Sequence, residues 1–171
     1  MANHLLRADP LPGVDNFAPP ELDIHAIEES DLSDIGRAYL LSFEETPHAM
    51  TQAESRADVE AAWKGEYGTW NTSCSLGAWM GGALVGAILT VTDAPWEDVP
   101  SGPFISDLFV VPAARRHGVA RALVQTVRSR VDGGIALRVD DSATAARALY
   151  DGLGFTVVDP SCQDNSRHRT A

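Results

Sequence analysis

Cysteine is scarce in this chain. The 171 residues hold two, Cys74 and Cys162, 88 positions apart. That spacing offers neither a disulfide framework nor a zinc pattern, so a reducing, cytoplasmic setting is the expectation. The five scattered histidines form no Cys/His/Asp cluster, and no metal is expected. The start, Met-Ala-Asn-His-Leu-Leu-Arg, lacks a signal-peptide core. Long hydrophobic runs are absent too. The apolar stretch 76–91 has 16 residues, short for a span, and Gly81-Gly82 divides it. It reads as a hairpin of two buried strands, and no membrane contact is expected. Two phosphate loops are missing as well: there is no Gly-x-x-x-x-Gly-Lys-Ser/Thr and no Gly-x-Gly-x-x-Gly.

Basic residues are few in the first two thirds. Residues 1–107 carry 18 acids against 4 bases, whereas residues 108–171 carry 6 acids against 9 bases. Arg115, Arg116, Arg121, Arg128 and Arg130 fall within 108–131, a stretch without an acid. The net charge of −11 serves solubility and argues against nucleic acid as a partner. The division suggests an anion held by the second half and a cation by the first.

The length suits a single domain with a real core. Residues 1–20, with four prolines, read as an irregular arm, 21–158 as the folded domain, and 159–171 as a polar tail. Residues 22–27 alternate as a strand. Asp31 can cap a helix reaching about Glu44, with Leu32, Ile35, Tyr39, Leu40 and Phe43 as its apolar stripe. Thr51 and Glu54 make a capping box for a second helix over about 52–64. The hairpin follows at about 74–80 and 83–92, then a strand over 104–111 and a helix over 117–130. A strand at 135–139, a helix capped by Asp141 or Ser142 and running to Leu153, and a strand at 155–158 complete the order. Hairpins mixed with crossovers predict an α/β fold: a mixed central β-sheet flanked by about four helices.

Residues 107–121 are the most informative. They read Asp-Leu-Phe-Val-Val-Pro-Ala-Ala-Arg-Arg-His-Gly-Val-Ala-Arg: a strand, a turn, and a helix start with cations at its entry. Such a turn presents free amides and a helix dipole to a phosphate. Arg115-Arg116-His117-Gly118-Val119-Ala120 resembles the Arg/Gln-x-x-Gly-x-Gly/Ala pattern of the GNAT superfamily, the acetyl-CoA-dependent N-acyltransferases. Residues 146–155, Ala-Arg-Ala-Leu-Tyr-Asp-Gly-Leu-Gly-Phe, are similar to that family's Ala-x-x-Leu-Tyr-x-x-x-Gly-Phe segment. Both lie in the expected order, and the resemblance covers about residues 22–158.

The resemblance implies a GNAT fold and an N-acetyltransferase that moves an acetyl group from acetyl-CoA to a primary amine by direct attack in a ternary complex. It places the pantetheine arm along Leu108, Phe109 and Val110. It places the diphosphate at Arg115, Arg116, His117, Gly118, Val119, Ala120 and Arg121. His117 itself reads as a turn residue. Tyr150 becomes the general acid, because a phenol with a reference pKa near 10 stays protonated at neutral pH and can supply a proton to the leaving thiolate. The base is not legible. Asp107 is the only acid of the strand, and alternation points it away from the side of Phe104 and Ser106. Glu44, Glu45, Glu66 and Asp107 are the candidates for the amine pocket. Together with Asp93, Glu97 and Asp98 they lean toward a cationic amine, small molecule or peptide.

Two departures stand out. Ala143 replaces an Asn seven positions before the tyrosine, with Ser142 as the stand-in. Residues 159–171 show no final strand, which leaves the sheet edge open or completed by a partner chain, as in a homodimer. Two rival readings follow: a non-catalytic acyl-CoA sensor on the same fold, and an anion- or nucleic-acid-binding domain built on the arginines of 115–130.

Overall fold

The computed structural model describes residues 2–13, 18–46 and 49–158. In chain order they form β1 (Asn3–Ala8), β2 (Leu22–Ala26), α1 (Leu32–Phe43), α2 (Gln52–Trp63), β3 (Thr69–Trp70), β4 (Leu76–Met80) and β5 (Ala83–Thr92). Then come β6 (Pro103–Val110), α3 (Val119–Arg130), β7 (Ile135–Asp140), α4 (Thr144–Gly152) and β8 (Thr156–Val157). The strands build one sheet in the order β2-β4-β5-β6-β7-β1-β8, with β3 against β5. Neighbours are antiparallel except β6 and β7, which run parallel. This is the expected mixed α/β architecture with four helices among the described residues.

Local chemistry explains the elements that position the site. Gly81 and Gly82 both adopt positive φ and close the β4–β5 hairpin. Thr51 accepts a hydrogen bond from the Glu54 amide at 3.2 Å, while the Glu54 carboxylate accepts from the Thr51 amide at 2.7 Å, so α2 starts where the capping box predicts. Asp31 does not cap α1 with its side chain; it accepts from the Glu28 amide within a short 3-10 turn.

The sheet is covered on both faces. Leu123, Val124 and Val127 of α3 pack with Ile88, Ile105, Ile135 and Leu137. On the other face Ile35, Ala38 and Tyr39 of α1 and Val59 of α2 pack with Ala87, Leu89 and Phe109. Each such aliphatic side chain contributes about 1.5–3 kcal/mol by leaving water. α1 and α2 approach closely at Gly36, where a Cβ would stand 3.3 Å from the Arg56 Cα. The buried Ser55 hydroxyl donates to the Gly36 carbonyl at that point.

The N-terminal expectation is corrected. Residues 3–8, read as part of an irregular arm, form β1 between β7 and β8. Leu6 and Ala8 are buried on one face while Asn3 and Arg7 of the other are exposed, and Leu5 interrupts the alternation of the sequence. Leu6 and Ala8 join the α3 core, and Leu5 packs with Phe104 and Val91 on the opposite face. The strand expected after Gly154-Phe155 therefore has a counterpart from the chain's own start: β1 pairs with β8 at Leu6↔Val157 and Arg7↔Thr156. β1 fills the place between β7 and β8, and β8 forms the edge of the sheet among the described residues. The tail 159–171, including Cys162, lies outside the described residues; Cys74 is buried in the core.

Candidate active site

β6 and β7 separate. They pair only at Phe104↔Ala136 and Ile105↔Leu137. Beyond Ile105, β6 continues along β5 alone and a gap opens toward α4. A cavity of about 840 Å³ fills this gap, lined by β6, the turn after it, the start of α3 and the face of α4 that carries Tyr150. Val111 donates to the Val85 carbonyl at 2.9 Å. By antiparallel alternation, the main-chain groups of Leu108 and Val110 turn away from β5 toward the gap, while those of Phe109 turn to β5. The expected main-chain edge is thus Leu108 and Val110, and Phe109 contributes its ring to the α1 core.

The turn is built for free amides. Gly118 is the N-cap of α3 with φ +78° and no side-chain cap, and Arg116 has φ +64°. The first bond of α3 runs from the Ala122 amide to the Gly118 carbonyl, which leaves the amides of Val119, Ala120 and Arg121 at the helix mouth. His117 folds its ring back on the Arg115 carbonyl at 2.9 Å, as a turn residue does.

The arginines divide by role. Arg115 donates through Nε to the Val110 carbonyl at 3.1 Å and through Nη2 to the Ser42 carbonyl at 2.7 Å, which ties the turn to the end of α1. Arg128 is buried and donates to the carbonyls of Asp9 and Leu153; Arg130 donates to the Ser73 carbonyl. Arg116 and Arg121 are exposed and line the cavity. The basic stretch is therefore largely internal bracing, and the nucleic-acid reading loses its main support.

Tyr150 ends the cavity from the last turn of α4, 7% exposed and packed on Phe155. Burial first, and the charge of Asp107 second, push its phenol up to about 12. It is protonated throughout the neutral range. The α4 cap differs from expectation. Asp141 binds His4 at 2.5 Å and Arg147 at 3.0 Å, and Ser142 donates to Asp140. Ser142 is thus engaged away from the cavity lining.

Asp107 lies where the sequence did not place it. A β-bulge between Leu89 and Thr90 on β5 adds one residue to β6 at Ser106. Alternation breaks there, and Asp107 turns to the α1–α2 face, the face on which Phe104 packs with Val91. Burial raises its carboxyl to about 6, and the charge of Asp58 adds to the rise. Tyr39 of α1 sets its hydroxyl 3.3 Å from Asp107 Oδ1 and 3.2 Å from Asp58 Oδ2 of α2. The Tyr67 hydroxyl donates to Asp58 Oδ1 at 2.5 Å. Tyr39, Asp58 and Tyr67 are functional candidates that sequence reasoning missed. Tyr39 was read as apolar stripe, and nothing local marks the other two.

Glu44, Glu45 and Glu66 are exposed and stand outside the cavity lining, although Ser42 and Phe43 belong to it. The structure does not bring these three glutamates to the gap. Among the described residues, no helix is long and apolar enough to cross a membrane.

No curated protein matches the chain. Solved structures do. A GCN5-related N-acetyltransferase from Sphaerobacter thermophilus aligns with TM-score 0.68 and 21% identity, over 91% of this chain and 48% of its own. The chain thus spans about half the length of that relative. The aminoglycoside N-acetyltransferase AAC(6')-Iy, solved with CoA, aligns with TM-score 0.60 and 19% identity over 81% and 90%. The ribosomal-protein-S18-alanine N-acetyltransferase from Escherichia coli aligns with TM-score 0.57 and 21% identity over 81% and 79%. These likenesses establish the fold. A family model of the acetyltransferase (GNAT) domain matches residues 44–168, more than half of the sequence, and the chain belongs to the GNAT acetyltransferase family.

Proposed function

We propose that this protein is an N-acetyltransferase that transfers the acetyl group of acetyl-CoA to a primary amine. The observation that carries the reading is the gap between β6 and β7, with an uncapped helix start at one end and a buried, protonated tyrosine at the other. The amides of Val119, Ala120 and Arg121 suit a diphosphate, and alignment with the helix dipole contributes about 0.3–1 kcal/mol. Arg116 and Arg121 add charge-assisted bonds. Leu108 offers its main chain, and Val110 its amide, to an amide-bearing arm, since the Val110 carbonyl is held by Arg115. The relative solved with CoA supports the same cosubstrate.

The amine enters as an ammonium and must shed a proton before it attacks. We assign that proton to Asp107, which stands on the α1–α2 face beside Leu108, outside the cavity lining but near enough for its charge to reach Tyr150. The free amine then attacks the thioester carbonyl directly, forming the C–N bond. Collapse breaks the C–S bond, and Tyr150 gives its proton to the departing sulfur. The second nitrogen proton restores Tyr150, so the products are amide, thiol and the one proton on Asp107. An amine of pKa near 8, as at a peptide N-terminus, stands about 2 units above Asp107, and a lysine-like amine about 4 units, so the former is the better match. The alanine acetyltransferase among the relatives agrees with that preference.

Calorimetry with acetyl-CoA, followed by thiol release with a panel of peptide and alkyl amines, tests the reading. Binding together with amine-dependent thiol release is expected. Folded protein with no affinity for acetyl-CoA ends it.

A further inference from the structure

The α1–α2 face of β6 carries a cluster with an unusual hydrogen count. Tyr39 sits between two carboxylates, 3.2 Å from Asp58 Oδ2 and 3.3 Å from Asp107 Oδ1, and it has one hydrogen to give. Tyr67 already donates to the other Asp58 oxygen. While Asp107 is ionised the Tyr39 hydrogen can serve it, and when Asp107 takes a proton that hydrogen turns to Asp58 Oδ2. An added proton on Asp107 closes the row: Asp107 donates to the Tyr39 oxygen, Tyr39 donates to Asp58 Oδ2, and Tyr67 donates to Asp58 Oδ1. The cluster has a hydrogen-bonded place for one more proton, and that place exists only while Asp58 is an acceptor.

We propose that Asp58 is a positioning residue for proton removal from the substrate ammonium, acting through Tyr39 to hold Asp107 ready to receive it. This rests on the acetyltransferase reading above. Only the substrate N–H bond breaks and only an O–H bond forms on Asp107; the remaining shifts are hydrogen bonds. The helices are set for this role. Gly36 and Ser55 meet one turn before Tyr39 and Asp58 on their respective helices, so that close contact brings the phenol and the carboxylate together.

The ionisable groups around Asp107 are Asp58 from α2, Tyr39 from α1, Tyr67 from the segment after α2 and Tyr150 from α4, with Glu66 acting on Tyr67. The Asp58 charge works against ionisation of Asp107, whereas the hydroxyls of Tyr39 and Ser106 work for it. The two partners therefore pull in opposite directions, which a simple staple between helices would not do.

The test is the pH profile of kcat/KM, with the Asp107 carboxyl titrated by carbon-13 NMR, in wild type, Asp58→Asn and Tyr39→Phe. In wild type both acid limbs are expected near pH 6. They should move to lower pH in Asp58→Asn and to higher pH in Tyr39→Phe. kcat/KM at pH 8 should fall about tenfold or more in Asp58→Asn, with acetyl-CoA affinity unchanged. Limbs that stay put, or move the same way in both folded variants, overturn the proposal and leave Tyr39–Asp58 as a helix contact. If Asp58→Asn does not fold, Tyr39→Phe decides alone: an upward limb supports the relay and an unmoved one sinks it. A wild-type protein inactive on every amine would instead remove the acetyltransferase reading, while the NMR titration still judges the coupling of Asp58 to Asp107.

Discussion

On the α3–α4 side of β6 the working groups are main-chain amides and arginines from one stretch of chain, residues 108–121. On the α1–α2 side they are Tyr39, Asp58, Tyr67 and Asp107, drawn from four separated segments. The first side needs only a strand, a turn with positive φ at Arg116 and Gly118, and a helix start. The second needs two helices, a loop and a bulged strand to meet within hydrogen-bond distance. On the proposed function, the half that would hold the anion is made of local backbone and the half that would handle the proton is made of tertiary contacts. Tyr150 joins them, since it lines the cavity yet feels the charge of Asp107.

The sharpest separation of the two sides is Asp107→Asn. Turnover should fall 10²–10⁴-fold, with acetyl-CoA affinity unchanged in calorimetry. The same substitution should stabilise the fold at neutral pH. The folded carboxyl titrates near 6, above its ordinary 3.8, so between those values the folded state holds a proton the unfolded chain has lost. Stability from this group is full below about pH 4 and is lost as pH rises through 6. Removing the charge should therefore add about 1–3 kcal/mol above pH 6, read as a higher Tm at pH 7.5 and little change at pH 4. A variant that keeps its turnover would free the α1–α2 side from any part in the chemistry.

Tyr150→Phe comes next. Turnover should drop at least tenfold while acetyl-CoA binds as before; an unchanged rate removes Tyr150 as the acid. On the other side, Arg116→Ala combined with Arg121→Ala should weaken acetyl-CoA binding about tenfold and make it less salt-sensitive, with kcat for the saturated enzyme nearly intact. Equal binding by this double variant would leave the helix amides as the sole anchor. The smallest effect is expected from Ser55→Ala, which deletes the hydroxyl bond to the Gly36 carbonyl. About 1 kcal/mol of stability should be lost in denaturant titration, with cosubstrate affinity untouched.

Much of the first side was legible. Gly118 marks a residue in the left-handed region, and the residues that follow it are the amides at the helix mouth. The apolar face of α4 by itself marked Tyr150 as a core residue, and only the resemblance of residues 146–155 to the family segment singled it out. The arginines were legible in position and not in use: Arg115, Arg128 and Arg130 hold carbonyls that the fold brings to them. The second side was read backwards. Alternation directed Asp107 away from Phe104, and the one extra residue of the bulge reversed it. β1 escaped notice because six residues with Leu5 beside Leu6 give little alternation to read, and its partners, β7 and β8, lie more than a hundred residues onward.

From sequence alone came the strand–turn–helix at 107–121, the Gly81-Gly82 hairpin, the Thr51–Glu54 cap and the tyrosine of α4. Each depends on the φ preferences, hydrogen bonds and periodicity of residues a few positions apart, and those are written in neighbouring letters. Tertiary structure alone decided the insertion of β1 between β7 and β8, the reversal of Asp107 and the meeting of Tyr39, Asp58 and Tyr67. A carboxyl's proton affinity follows from the water it loses and the charges it meets, and both are supplied by parts of the chain far away in sequence.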